Sequence, residues 1–177
     1  MATPAAPAHS ARAGGAWEVA AAVPDPELPM LTLADLGVLA EVEEDEGTVT
    51  AWLTPTYSGC PAVAEMAADV DARLRAAGYP SVHVRLRLDP PWSTDLISET
   101  GRRKLAEAGI APPQPGSVGS GAVRQGVLRL GPTRHVVHCP QCGSTDTEEL
   151  SRFGSTACKA LWRCRSCREP FDRIKEI

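Results

Sequence analysis

The spacing of hydrophobic positions along the chain changes several times, and each change marks an element. Trp17 to Val23 read as a short helix that stops at Pro24-Asp25-Pro26-Glu27-Leu28-Pro29, where three prolines forbid helical continuation. The period then falls to two. Val38, Ala40 and Val42 share one face, Glu43 to Gly47 make a turn, and Val49, Ala51 and Leu53 share one face, which predicts a β-hairpin with an acidic, solvated tip. From Pro61 to Ala77 the spacing is helical: Val63, Met66, Ala67, Val70 and Leu74 form one apolar stripe, with Pro61 at the first helical position and Gly78 as the stop. Val82, Val84, Leu86 and Leu88 then alternate with His83, Arg85 and Arg87, predicting a third strand with one solvated face. A last helix is expected from Thr94 to Ala108, closed by Gly109 and the pair Pro112-Pro113.

The order α-β-β-α-β-α predicts an α+β domain: a small three-stranded mixed sheet with helices on one face. The first two strands pair as an antiparallel hairpin. The second and third are joined through a helix, a crossover that makes them parallel. Such a topology brings Thr54, Asp89 and the Asp35-Leu36-Gly37 segment to one edge of the sheet. The loop Thr54-Pro55-Thr56-Tyr57-Ser58-Gly59-Cys60 falls there too, in the kind of crevice where open sheets place their sites.

Composition and length divide the rest. The 177 residues suit one modest domain and a small appendage. Residues 1–15 are rich in Ala, Pro and Gly, with no basic start and no apolar stretch, and are expected to be a disordered leader without an export signal. The α+β domain is expected over 16–111, a flexible linker over 112–132 and a metal-binding module over 133–177. No run reaches the eighteen or so apolar residues of a membrane span, so no membrane is expected and the cytoplasm is the expected compartment.

That last module rests on four of the six cysteines. Cys139 and Cys142 form one C-x-x-C pair and Cys164 and Cys167 another, separated by twenty-one residues, with turn residues beside each. Two such turns aim four thiolates at one point, the tetrahedral set that Zn²⁺ prefers, and predict a four-Cys zinc ribbon. Two disulfides would instead need an oxidising compartment. Thiolates also suit iron and iron-sulfur clusters, which leaves iron or a cluster as the alternative to zinc. The first 132 residues carry a net charge of -6 and the last 45 a net +2. Four metal-bound thiolates offset that small basic surplus, so nucleic-acid binding is not expected.

The two remaining cysteines stand apart. Cys60 precedes Pro61 at the start of a helix, where free N–H groups and the helix dipole favour a thiolate with a lowered pKa. It is a candidate metal ligand or reactive thiol, with Asp35 and Asp89 expected nearby. The plain alternative is a buried cysteine acting as a small apolar side chain. Cys158, six residues before Cys164, is either a bystander in the ribbon's loop or an alternate metal ligand. A Cys-His-Asp nucleophile has no support, since His83 belongs to the solvated sheet face.

Asp25-Pro26-Glu27-Leu28-Pro29, Asp35-Leu36-Gly37 and Thr54-Pro55-Thr56-Tyr57-Ser58-Gly59-Cys60-Pro61 make residues 17–111 similar to the metal-sulfur cluster assembly family. Together with CPQCG and FGSTACKALWRCRSCREPFD, they resemble its PaaD-type branch, which accompanies bacterial phenylacetyl-CoA epoxidase systems. The resemblance implies an accessory role in aerobic phenylacetate degradation: maturation of a metal or iron-sulfur centre, with Cys60 as the working thiolate. The implied partners are the di-iron oxygenase and the reductase components. Consistent with a non-catalytic role, the chain lacks the Glu and Glu-x-x-His set of a bundle di-iron site, a Gly-rich nucleotide loop and plant-type ferredoxin spacing. The competing expectation is a structural adaptor bridging oxygenase and reductase, with Tyr57, Trp92, Trp162 and Phe171 as contact anchors.

Overall fold

A computed structural model describes residues 15–45, 47–57, 59–114 and 136–176. The expected leader and nearly all of the linker lie outside the described residues. Two three-stranded sheets organise the rest. The first comprises β1 (Leu39–Asp45), β2 (Thr48–Leu53) and β3 (Ser81–Leu86) in that spatial order, β1 antiparallel and β3 parallel to β2. The helices α1 (Gly15–Ala21) and α2 (Val63–Ala76) pack with it, and α3 (Glu99–Glu107) follows. Burial in β2 alternates strictly, with Val49, Ala51 and Leu53 inward, and α2 lays Met66, Val70 and Leu74 into the same core. The mixed sheet is therefore as the hydrophobic periods predict.

Three details differ. In β1 a register shift lies between Leu39 and Glu41, so Val38 and Leu39 are both buried and Glu41 faces outward to pair with Arg87 at 2.8 Å. A bulge inserts one residue into one strand and re-aims its side chains, which strict alternation cannot anticipate. The third strand ends at Leu86, and Leu86 and Leu88 are 50% and 59% exposed, because β3 is an edge strand of its sheet. The last helix is split. A single 3-10 turn at Thr94–Leu96 is followed by extended Ile97, and α3 starts afresh at Glu99. Two serines cause the break: Ser93 accepts from Asp95 N–H and Ser98 from Gly101 N–H, each satisfying an orphan donor at a new N-terminus.

The second sheet is an antiparallel meander of β4 (Thr147–Ser151), β5 (Lys159–Cys164) and β6 (Pro170–Ile174). Its own core is small: Ala111, Val137, Cys139, Ala160, Trp162, Cys164 and Phe171. The two modules are packed on each other. Ala111 N–H donates to Asp172 O (2.8 Å) and Ile174 N–H to Ala111 O (3.1 Å), while the Ile174 side chain joins the core of the first module. Residues 112–114, expected from composition to begin a linker, include the fully buried Pro113. Among the described residues no helix is long and apolar enough to cross a membrane.

Candidate functional site

Each C-x-x-C pair is folded by its own turn. In the first, Gly143 N–H donates to Cys139 O (2.8 Å) and Gly143 takes a left-handed φ of 74°, a conformation glycine adopts without strain. In the second, Arg168 holds the equivalent left-handed φ of 67°, and Cys167 N–H points at Cys164 Sγ (3.5 Å). A Ser144–Ser166 hydroxyl contact of 2.8 Å ties the turns together.

All four sulfurs lie within 4.8 Å of one another, with Cys139–Cys167 at 3.7 Å and Cys142–Cys164 at 3.6 Å. A tetrahedron of sulfurs about 2.3 Å from a central zinc has edges of about 3.8 Å. The donor set therefore fits a tetrahedral cation of zinc's size. Without a cation the thiols of the cluster differ in their tendency to ionise. The N–H of Cys167 brings the Cys164 thiol down to about 6. Cys167 is pushed up to about 12, because burial and the adjacent sulfurs outweigh the N–H of Glu169. Four thiolates in this volume ionise together only with a cation among them.

The other two cysteines meet. Cys60, in the loop between β2 and α2, and Cys158, just before β5, line one cavity of about 30 Å³ between the modules. Its walls are mainly apolar, including Leu28, Leu36, Met66, Trp92 and Ile174, and two carboxylate residues, Asp25 and Glu27, also line it. The helix N-terminus does not lower Cys60 as expected. Burial pushes its thiol up, with Glu27 and Asp25 adding to the rise, and the Ala62 N–H opposes this without prevailing. The reason lies in α2, which begins at Val63, so Cys60 stands outside the first turn and desolvation wins. Burial likewise raises Cys158, against the Thr156 hydroxyl at 3.1 Å.

Asp35 is not brought to Cys60. Its carboxylate accepts from Lys104 Nζ (2.6 Å) and Thr32 N–H (3.1 Å), and its carbonyl accepts from Ser98 N–H, so it ties α3 to the segment before β1. Burial acts to raise this carboxyl, but Lys104 and Thr32 outweigh it and hold it below 3.8. The stabilisation is thus complete above the ordinary carboxylate value and is lost as pH falls through the lower, folded value. Replacing Lys104 with Met is expected to cost about 1–3 kcal/mol at neutral pH. Urea unfolding of variant and parent should show that difference shrink on acidification below 3.8. Asp89 is exposed beyond β3 and does not line the cavity.

The buried one of the two carboxylate residues that line Cys60's cavity is Asp25, only 8% exposed. It accepts from the N–H groups of Glu27 (2.9 Å) and Leu28 (2.8 Å), yet burial still raises its pKa. Its signal in the sequence is Asp25-Pro26-Glu27, an Asp placed to cap its own turn two and three residues on.

With this geometry in place, comparison with known proteins becomes specific. Residues 124–175 match the family model of the PaaD zinc beta ribbon domain, and residues 17–91 match that of an iron-sulfur cluster assembly protein. Over 162 residues, 91% of each chain, the sequence is 44% identical to an Escherichia coli K12 protein provisionally named as a 1,2-phenylacetyl-CoA epoxidase subunit. The chain belongs to the PaaD family. This PaaD-family chain is also 33% identical over 83 residues to a Porphyromonas gingivalis W83 protein named Fe-S protein maturation auxiliary factor, covering 46% of this chain and 78% of that one. A domain of unknown function, DUF59, from Bacillus anthracis superposes with a TM-score of 0.48 at 28% identity, covering 51% of this chain and 88% of that one.

Proposed function

We propose that this PaaD-family protein is a non-catalytic accessory factor of a phenylacetyl-CoA epoxidase, acting in the cytoplasm to help assemble a metal or iron-sulfur centre in its oxygenase or reductase component. The observation that carries the reading is the Cys60 cavity. At about 30 Å³ it has room for one ion or water, whereas sites for small-molecule substrates run to about 300–1,000 Å³. A thiol facing so small a space suits handling of a cation, not turnover of an aromatic thioester. Likeness to an epoxidase component and to a maturation factor supports the same role from two directions. Cys139, Cys142, Cys164 and Cys167 hold a structural zinc in this scheme, and Cys60 is the working thiolate. The adaptor alternative loses most of its anchors, since Trp92, Trp162 and Phe171 are buried.

Cys60→Ala tests the proposal in cells that depend on the factor for epoxidase activity. The variant is expected to be folded and to carry its metal, but to support less than about a tenth of the parent's epoxidase turnover, a loss typical of removing an essential ligand. Full turnover with Cys60→Ala would reduce Cys60 to packing and sink the assignment.

A further inference from the structure

The edge strand β3 leaves part of its backbone unpaired. Arg87 N–H donates to Leu53 O (2.8 Å), which fixes the parity of the strand: the backbone groups of Arg85 and Arg87 face β2, and those of Val82, Val84 and Leu86 face away from the sheet. Arg75, held by Asp71 at 2.7 Å, covers the start of that outer edge by donating to the carbonyls of Pro80 (3.4 Å) and Val82 (3.4 Å). It reaches no further. Among the described residues, nothing bonds the outward groups of Val84 and Leu86.

We propose that this open half of the β3 edge docks an extended, acidic segment of a partner protein, which joins the sheet as a fourth strand. The site goes beyond the role of Cys60 and does not depend on it.

The side chains on the two faces of β3 set the chemistry of the occupant. On the face that packs with α2, Val82 is buried, but Leu86 and Leu88, further along, stay 50% and 59% exposed. Apolar side chains of an added strand cover both. On the other face His83 and Arg85 are exposed, opposite Thr50 and Trp52. Arg87 and Arg85 stack on the Trp52 ring, their guanidinium carbons 4.9 and 5.7 Å from its centroid, which holds both in place. Arg87 is paired with Glu41, whereas Arg85 has no carboxylate within ion-pair distance among the described residues.

Charge selects among the occupants. A second copy pairing β3 on β3 brings the same basic row against itself, and like charges directly opposite are destabilising. Residues 115–135 of this chain carry Arg124, Arg129 and Arg134 and no Asp or Glu, so they meet the same repulsion. A strand alternating acidic and apolar residues sets its carboxylates beside Arg85 and His83 and its apolar side chains beside Leu86 and Leu88. Main-chain bonds to Val84 and Leu86 supply affinity, and the alternating side chains supply specificity.

The test is a titration of the full-length, zinc-loaded, isotope-labelled protein with the blocked peptide Glu-Val-Glu-Leu-Glu-Val, followed by amide NMR. The signals of Val84 and Leu86 should shift with occupancy, and their hydrogen exchange should slow by about tenfold or more at saturation. A peptide with Lys in place of Glu should bind about fivefold or more weakly, and Arg85→Glu should reverse that preference. Leu86→Pro removes an outward N–H and no bond to β2, so it should abolish docking with zinc content and circular dichroism unchanged. Arg85→Glu, at an exposed position, keeps the test decisive if the proline disturbs the sheet. Absence of binding, equal binding of the two peptides, or binding that leaves the Val84 and Leu86 amides unmoved would overturn the site. Edge amides already protected in the free protein would overturn it too. Protection that grows with protein concentration would assign the edge to a second copy, and protection lost on deleting residues 115–135 would assign it to the chain's own segment.

Discussion

Stripping the metal from the four-Cys centre is expected to unfold the C-terminal module and to open the Cys60 cavity. The ribbon's private core has seven residues, two of them cysteines of the four-Cys cluster. A core of that size contributes at most about 3–5 kcal/mol. Structural zinc contributes on the order of 10 kcal/mol or more, so the metal decides whether β4, β5 and β6 persist. Losing it also removes Ile174 from the first module's core and breaks the Ala111 bridge to β6. A chelator at neutral pH should therefore abolish hydrogen-exchange protection in β4–β6 and redden Trp162 emission, leaving the first module folded but less stable. Acid should act in the same direction, because protons compete for the thiolates. Unchanged protection of β5 after complete metal removal would show that the ribbon stands on its own packing.

The second large effect is expected at Gly101. An alanine there gains roughly 1 kcal/mol of helix propensity in α3. It also places a Cβ 2.6 Å from the Asp35 carbonyl oxygen and 3.2 Å from Ile97 Cγ2. The first contact is with backbone, so α3 has to move as a whole, and the Ser98–Asp35 and Lys104–Asp35 hydrogen bonds move with it. Overpacking of this kind costs about 1–3 kcal/mol, and losing charge-assisted bonds adds about 1–3 more. Clash outweighs propensity, and Gly101→Ala should lose about 2–4 kcal/mol net, read as a lower urea midpoint with unchanged slope. A variant as stable as the parent would mean that α3 slides freely over the Asp35 turn.

Much of this was legible from residue spacing. Strict alternation in Val49, Ala51 and Leu53 and the stripe Met66, Val70 and Leu74 each matched the buried set, because a strand of period two and a helix of period 3.6 leave little choice of face. The four-Cys centre was readable because each C-x-x-C turn is a local structure and tetrahedral chemistry needs two of them. The bulge in β1 and the break at Ile97 were not, since each depends on competition between local hydrogen bonds and the neighbouring chain. Ser93 and Ser98 were the available signals for the second.

The site around Cys60 divides along the same line. Sequence alone determined the mixed sheet, the four-Cys cluster and the placement of Cys60 at a strand-to-helix loop, because all are consequences of local spacing and side-chain chemistry. Only the tertiary structure decided Cys60's company. It turned Asp35 to Lys104, brought Asp25 into the cavity and carried Cys158 across from the ribbon. It also reversed the expected direction of the Cys60 pKa, since α2 starts at Val63 and burial of the thiol outweighs the one N–H, that of Ala62, that lowers it. Contacts between segments 98 residues apart are set by how two surfaces pack, and no periodicity within either segment encodes them.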